Sequence, residues 1–174
     1  MVVAEESWPG DFLLHPISLG AIAVLIVNDW YVKQHWPGVV SGKLSDVAGL
    51  IFFPLLLVAL AELVAMVLGR PWRAPRGTFV AVAVLVGVVF AATKAVEPVR
   101  DADEVVLGWL RWLPLAAART ASGDAAGSPV RHQVVADLSD LLAVPCVLAA
   151  IWVGGRYRPA DRREHTGEPD QVEA

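Results

Sequence analysis

Long apolar runs, separated by short polar segments, set the pattern of this chain. An α-helix needs about 20 apolar residues to cross the hydrocarbon core of a bilayer, and four runs come close to that length. The pattern therefore predicts an all-α fold: an integral membrane four-helix bundle of two helical hairpins, in a single transmembrane domain of residues 1–153. The predicted spans cover residues 12–30, 44–68, 78–97 and 134–153.

Two stretches fall outside the four predicted spans. Residues 105–118 are apolar but too short to cross, and Trp109 and Trp112 suit the level of the lipid headgroups. This stretch therefore predicts a helix that lies in the interface or re-enters the membrane. Residues 154–174 are rich in Arg, Pro and Glu, a composition that predicts a disordered polar C-terminal tail.

Composition supports the membrane class. The 174 residues are 56% hydrophobic and 18% charged, whereas a soluble domain is about 25% charged. The chain opens with the acidic residues Glu5, Glu6 and Asp11, and a cleavable signal peptide opens with basic ones, so we expect the first run to be retained. Basic residues are few and lie mostly beside the predicted spans, which argues against a nucleic-acid partner.

Lysines and arginines near the span ends predict the orientation. They are densest in the turn at 69–77 and at the start of the C-terminal tail. The positive-inside rule places such segments in the cytoplasm. We therefore expect a multi-pass protein of the cell membrane with both termini in the cytoplasm.

Alternating helix directions bring polar residues from distant parts of the chain to one membrane face. The end of the first span, the start of the second, the end of the third and the start of the fourth share that face. The five acids and two lysines among these residues give a formal charge of −3. The predicted polar layer consists of Asn28, Asp29, Lys43, Ser45, Asp46, Lys94, Glu97, Asp137, Ser139 and Asp140.

The polar layer has two interpretations. Ser45 and Asp46 at a helix start are good capping residues, and an acid there suits the helix dipole. Capping does not explain the whole layer, because Asp137 and Asp140 cannot both be the cap. Glu97 is expected at a helix C-terminus, where the dipole disfavours an acid. Ionisable groups inside a bilayer cost roughly 2.5–3.5 kcal/mol each on insertion scales and usually mark a function or are paired.

Three functions fit such a layer. It can bind a cation, a small solute or a lipid headgroup; carboxylates suit a divalent cation, although no cofactor motif is evident. It can instead be the site of an intramembrane hydrolase, with Asp46 and Asp140 as a proton-sharing dyad or with a metal on Asp29, Asp46, Asp137 and Asp140. It can also hold helices together in a structural or accessory subunit. Because four helices are few for a transporter, a homo-oligomer is expected.

A second polar pair is expected near the opposite membrane face. His15 lies near the start of the first span. Glu62 follows Asp46 by 16 residues, which is roughly 24 Å along a helix. The two side chains can either hydrogen-bond to each other or point separately into water.

One block of the sequence resembles a known group of proteins. Asn28-Asp29, Lys33 and Pro37-Gly38 precede the run SGKLSDVAGL at 41–50, and Pro54 follows. The block resembles that of a group of uncharacterised bacterial multi-pass membrane proteins, and it covers about the first third of the chain. A fainter likeness is to VanZ-like proteins. Their order of charges differs and the histidine that usually follows is absent here, so no residue role is carried over.

The predicted topology can be tested with reporter fusions. Alkaline phosphatase, which is active only outside the cytoplasm, should be active when fused within 31–43 or within 98–133. It should be inactive when fused within 69–77 or after 154, where a fluorescent protein should report instead. If the first two segments faced opposite compartments, the polar layer could not exist.

Overall fold

The structure, a computed structural model, describes residues 8–36, 38–70, 72–131 and 137–157. All regular elements in those ranges are helical, which confirms the all-α prediction. The elements are a 3₁₀ turn Asp11–Leu14, α1 Pro16–Val27, a π-helix Asn28–Val32, the single turn α2 Lys33–His35, α3 Val39–Val67, α4 Arg76–Ala95, α5 Glu97–Ala121, a 3₁₀-helix Leu138–Cys146 and α6 Val147–Arg156.

Within the described ranges, three helical stretches are long and apolar enough to cross a membrane. They are α3 with 29 residues, α4 with 20, and the continuous stretch Leu138–Arg156 with 19. The last combines the 3₁₀-helix, which contains Pro145, with α6. These stretches correspond to the second, third and fourth predicted spans. Part of the predicted fourth span (134–136) and most of the predicted tail (from 158) lie outside the described residues.

The first predicted span has a more complex backbone than its composition indicates. The side chain of His15 accepts a hydrogen bond from the amide of Ile17 at 3.2 Å, and Pro16 occupies the first turn of α1, where a missing N–H is tolerated. The α-helix itself has 12 residues, fewer than a crossing requires. The helical path continues without a break through the π-helix and α2 to His35.

The segment after α4 folds into one long helix. Its 25 residues contain the predicted helix at 105–118, but it begins at Glu97, directly after the extended residue Val96. Pro98 is accepted in the first turn because the amides there have no partner within the helix. The prediction that the third span ends at Glu97 is therefore wrong: α4 ends at Ala95, and Glu97 belongs to α5.

The buried core lies where α3, α4 and α6 meet the N-terminal turn. Leu55 and Val58 of α3 are fully buried with Val153 of α6, and Phe12 meets the ring of Phe79 edge-on with centroids 5.0 Å apart. Most other large apolar side chains of the three long helices are exposed. An apolar exterior around a small core is the arrangement expected of helices solvated by lipid.

Glu62 has neither of its two predicted environments. Its carboxylate is buried in α3 and accepts hydrogen bonds from the amides of Gly10 at 3.0 Å and Ala74 at 2.9 Å, with Arg73 Nη1 at 3.6 Å. The predicted bond to His15 does not form, because the His15 ring packs edge-on against Trp152 instead. Glu62 thus joins the N-terminal turn to the connection between α3 and α4.

The contact between α4 and α6 generates a stability prediction. A Cβ atom on Gly154 would clash with Cδ1 of the buried Phe79 ring, whereas one on Gly155 would lie 3.6 Å from the Arg76 side chain. We expect Gly154→Ala to lower the free energy of unfolding by about 1–3 kcal/mol through overpacking. Gly155→Ala, the matched control, should be neutral or stabilising by up to ~1 kcal/mol through helix propensity. Thermal unfolding in detergent measures both, and equal effects would contradict this packing.

Candidate functional site

The structure brings together five charged residues of the predicted polar layer. We call them the ionic cluster: Lys43 and Asp46 on α3, Lys94 on α4, and Asp137 and Asp140 at the start of the final helical stretch. They are far apart in sequence and meet because three helices present their polar ends at one level. Two cations and three acids leave this group with a formal charge of −1.

Asp140 is the centre of the ionic cluster. One carboxylate oxygen accepts from Lys43 Nζ at 2.8 Å and the other accepts from Lys94 Nζ at 2.6 Å. Only 9% of the Asp140 side chain is exposed, and 11% of that of Lys94. One buried carboxylate therefore joins three separate segments of the chain. Removing water from these charges costs free energy, which close hydrogen-bonded pairing offsets.

Asp137 forms the outer edge of the cluster. It caps the 3₁₀-helix, accepting from the amide of Ser139 at 2.8 Å and from its hydroxyl at 2.6 Å. These hydrogen bonds from the Ser139 hydroxyl and amide lower the pKa of Asp137 below its ordinary value. Lys43 Nζ donates to the same hydroxyl at 2.5 Å and lies 3.6 Å from the Asp137 carboxylate. Ser139 therefore connects the cap to the cluster.

A second branch joins the π-helix to α3. Asn28 is fully buried, and its Nδ2 donates to the carbonyl of Ser41 and to the hydroxyl of Ser45, both at 2.7 Å. The Ser45 hydroxyl in turn donates to Asp29 at 3.4 Å, and Asp29 pairs with Lys33 one turn later at 2.6 Å. The layer prediction did not include Ser41 or Lys33. The Asn-Asp pair thus positions the end of the first helical segment.

Glu97 does not join the cluster. It is exposed at the first position of α5, where the helix dipole favours an acid. The expectation that Glu97 lies at a helix C-terminus, where the dipole disfavours an acid, is therefore wrong. The reason is the extended conformation of Val96, which ends one helix and lets the next begin immediately.

The arrangement of lysines bears on the two chemical hypotheses. Lys94 Nζ contacts both Asp140, at 2.6 Å, and Asp46, at 3.5 Å, so the two carboxylates proposed as a dyad share one ammonium partner. Within the described ranges, no group of three or more His, Cys, Asp or Glu side chains is arranged to hold a metal ion. Asp46, Asp137 and Asp140 each lie within 4 Å of a lysine ammonium.

A groove opens beside the ionic cluster, between α3 and α4. It has a volume of about 550 Å³. Its walls are mostly apolar, with Phe53 and Leu57 on one side and Leu85 and Phe90 on the other, and Leu107 of α5 reaches its rim. Its polar end is formed by Ser45, Asp46, Thr93 and Lys94, together with Asp103 of α5. A cavity of this kind suits a molecule with an apolar chain and a polar head.

The central position of Asp140 generates a prediction. Asp140→Asn removes the charge that two buried or half-buried ammonium groups share. We expect it to lower stability by about 3–5 kcal/mol, the usual cost of breaking a buried ion pair, and to reduce the amount of folded protein in membranes. Asp137→Asn keeps a good capping residue in an exposed position and should cost ~1 kcal/mol or less. Quantitative blotting and thermal unfolding in detergent measure both, and a larger loss from the Asp137 variant would contradict the geometry.

No protein-family model, no curated protein and no solved structure matches this chain. The likeness of the 28–54 block to a group of bacterial membrane proteins stays a prediction from sequence. The candidate site therefore depends on its own geometry: a lysine-bridged ionic cluster beside an apolar groove.

Proposed function

We propose that this protein is a multi-pass protein of the cell membrane that binds one amphiphilic lipid in the groove between α3 and α4. The proposal includes a fourth crossing, formed by the helical path that begins at α1, with both termini in the cytoplasm. The three apolar helices and the exposed apolar side chains around them support a lipid environment. A fourth crossing would also put Asn28 at the same membrane depth as Asp46, Lys94 and Asp140.

The observation that carries the proposal is the composition of the groove. Its apolar walls suit a hydrocarbon chain, and its polar end includes Asp46 and Lys94 of the ionic cluster. Phe53, Leu57 and Leu85 would contact the chain by van der Waals packing, which is the main apolar interaction between surfaces in lipid. A free cation or a purely polar solute would contact only the polar end of the groove.

Asp46 determines which polar head group the proposed lipid can carry. Its carboxylate is 21% exposed, and its contact with Lys94 at 3.5 Å is longer than a good hydrogen bond. It can therefore accept a further hydrogen bond from a ligand. Lys94 presents the opposite charge beside it. A zwitterionic head with a donating ammonium, placed against Asp46, and an anionic group, placed towards Lys94, complements this pair.

The proposal is tested by photocrosslinking in nanodiscs. A diazirine-bearing phosphatidylethanolamine should label α3 and α4 residues of the groove. The phosphatidylcholine analogue, whose quaternary ammonium donates no hydrogen bond, should label them less. Asp46→Asn should weaken ethanolamine-lipid labelling roughly tenfold, because a hydrogen bond to a charged group contributes about 1.5–3 kcal/mol.

A matched pair of glycine variants tests the groove itself. Gly49 lines the groove and Gly20 lies on the exposed surface of α1, and a Cβ on either would meet no atom within 4 Å. Gly49→Leu should therefore fill the groove and abolish most of the labelling, while Gly20→Leu should leave it unchanged. Equal labelling of the two variants, or labelling spread evenly around the helices, would overturn the proposal.

A further inference from the structure

A second cavity lies at the far end of α5, away from the ionic cluster. One face of α5 contributes Arg111, Trp112, Leu115 and Arg119, and the loop that follows covers this face with Ser128 and Arg131. The volume is about 370 Å³. We call it the arginine cavity, because three guanidinium groups from two elements line one space.

The loop is held against α5 by specific contacts. Trp112 Nε1 donates to the carbonyls of Ala126 at 3.1 Å and Gly127 at 3.2 Å. Gly127 has φ +69°, a left-handed conformation that favours glycine. A Cβ on Gly108 would lie 2.5 Å from the carbonyl oxygen of Val130. Only a residue without a side chain lets the loop come this close, so the backbone itself defines the cavity.

Among the described residues, the lining of the arginine cavity contains three cations and no acid. Within the described residues, no carboxylate lies within 4 Å of the guanidinium of Arg111, Arg119 or Arg131. In the ionic cluster, by contrast, each lysine is paired with at least one carboxylate. Three cations around one space repel each other and create a positive potential that attracts an anion.

The chemistry of the lining identifies the class of anion. The guanidinium fork matches two oxygens of a phosphate at once, and a phosphate monoester carries nearly two negative charges at neutral pH. Ser128 can donate a further hydrogen bond, and Trp112 and Leu115 provide an apolar wall. The cavity exceeds what a bare phosphate needs, so there is room for an attached organic group.

We propose that the arginine cavity binds the phosphate group of an organophosphate. This site is separate from the groove and does not depend on the function proposed for it. Two sources supply the same chemistry: an anionic lipid headgroup and a soluble phosphorylated molecule. The exposed apolar side chains of Val106, Trp109, Leu110 and Leu113 on another face of α5 suit contact with a bilayer.

Binding assays on the full chain test the proposal. Equilibrium dialysis in a phosphate-free, uncharged detergent is run with labelled inorganic phosphate and labelled glycerol 3-phosphate. Native mass spectrometry of the chain from phosphatidylcholine nanodiscs, with and without phosphatidylglycerol or phosphatidic acid, counts retained anionic lipid. Retention of lipid alone identifies the headgroup as the source, and binding of glycerol phosphate alone identifies a soluble ligand. Absence of both overturns the proposal.

Charge-neutral variants locate the site. Arg111→Gln, Arg119→Gln and Arg131→Gln should each weaken binding roughly tenfold, because each removes a charge-assisted hydrogen bond to phosphate. Arg100→Gln removes the same charge from the same helix outside the cavity and should change binding less than twofold. The three arginines of the cavity are exposed and Arg100 is half-buried, so the variants should fold normally. Equal losses from Arg100→Gln and the cavity variants would indicate diffuse surface charge and overturn the site.

A variant that removes no charge tests the geometry. Gly108→Ala pushes the loop at Val130 away from α5 and should weaken phosphate binding several-fold, with groove labelling by the diazirine lipid retained. Unchanged phosphate affinity in Gly108→Ala would show that the closed cavity is not the binding site. The binding proposals for the groove and for the arginine cavity can thus be refuted independently.

Discussion

The pairing of Asp140 with two lysines is the interaction on which the arrangement of the helices depends. Lys43 comes from α3 and Lys94 from α4, and each reaches one oxygen of the same carboxylate, which begins the final helical stretch. Apolar surfaces in lipid give little preference for one helix register over another, because lipid tails solvate them equally well. A buried ion pair adds directional contacts that only one register satisfies, at a cost in desolvation.

The sequence predicted that these charges lie near each other but not which of them pair. The prediction rested on alternating directions of the apolar runs, and the structure brings Lys43, Asp46, Lys94 and Asp140 together from three helical stretches. Which lysine bonds which acid depends on helix rotation and side-chain reach, and hydropathy carries no information on either. The error at Glu97 has the same origin: one extended residue, Val96, decides whether an acid ends one helix or begins the next.

The groove and the arginine cavity were harder to predict from the sequence than the ionic cluster was. The groove combines apolar residues that repeat throughout α3 and α4, and nothing in their spacing distinguishes a wall of a groove from any other lipid-facing surface. The arginine cavity depends on Gly108 and on a loop folded back over α5 by Trp112. From the sequence, Trp112 indicated the membrane interface and the arginines were only scattered positive charge. Close approach between a loop and a helix is a property of the assembled chain.

The buried carboxylate of Glu62 also has a consequence for the order of assembly. It receives amide hydrogens from Gly10 and from Ala74, which lie on opposite sides of it in the chain. During synthesis Gly10 precedes its acceptor by 52 residues, and Ala74 follows that acceptor by 12. The two backbone donors therefore reach the same carboxylate at different stages of chain elongation, and the link between them is complete only once Ala74 has been made.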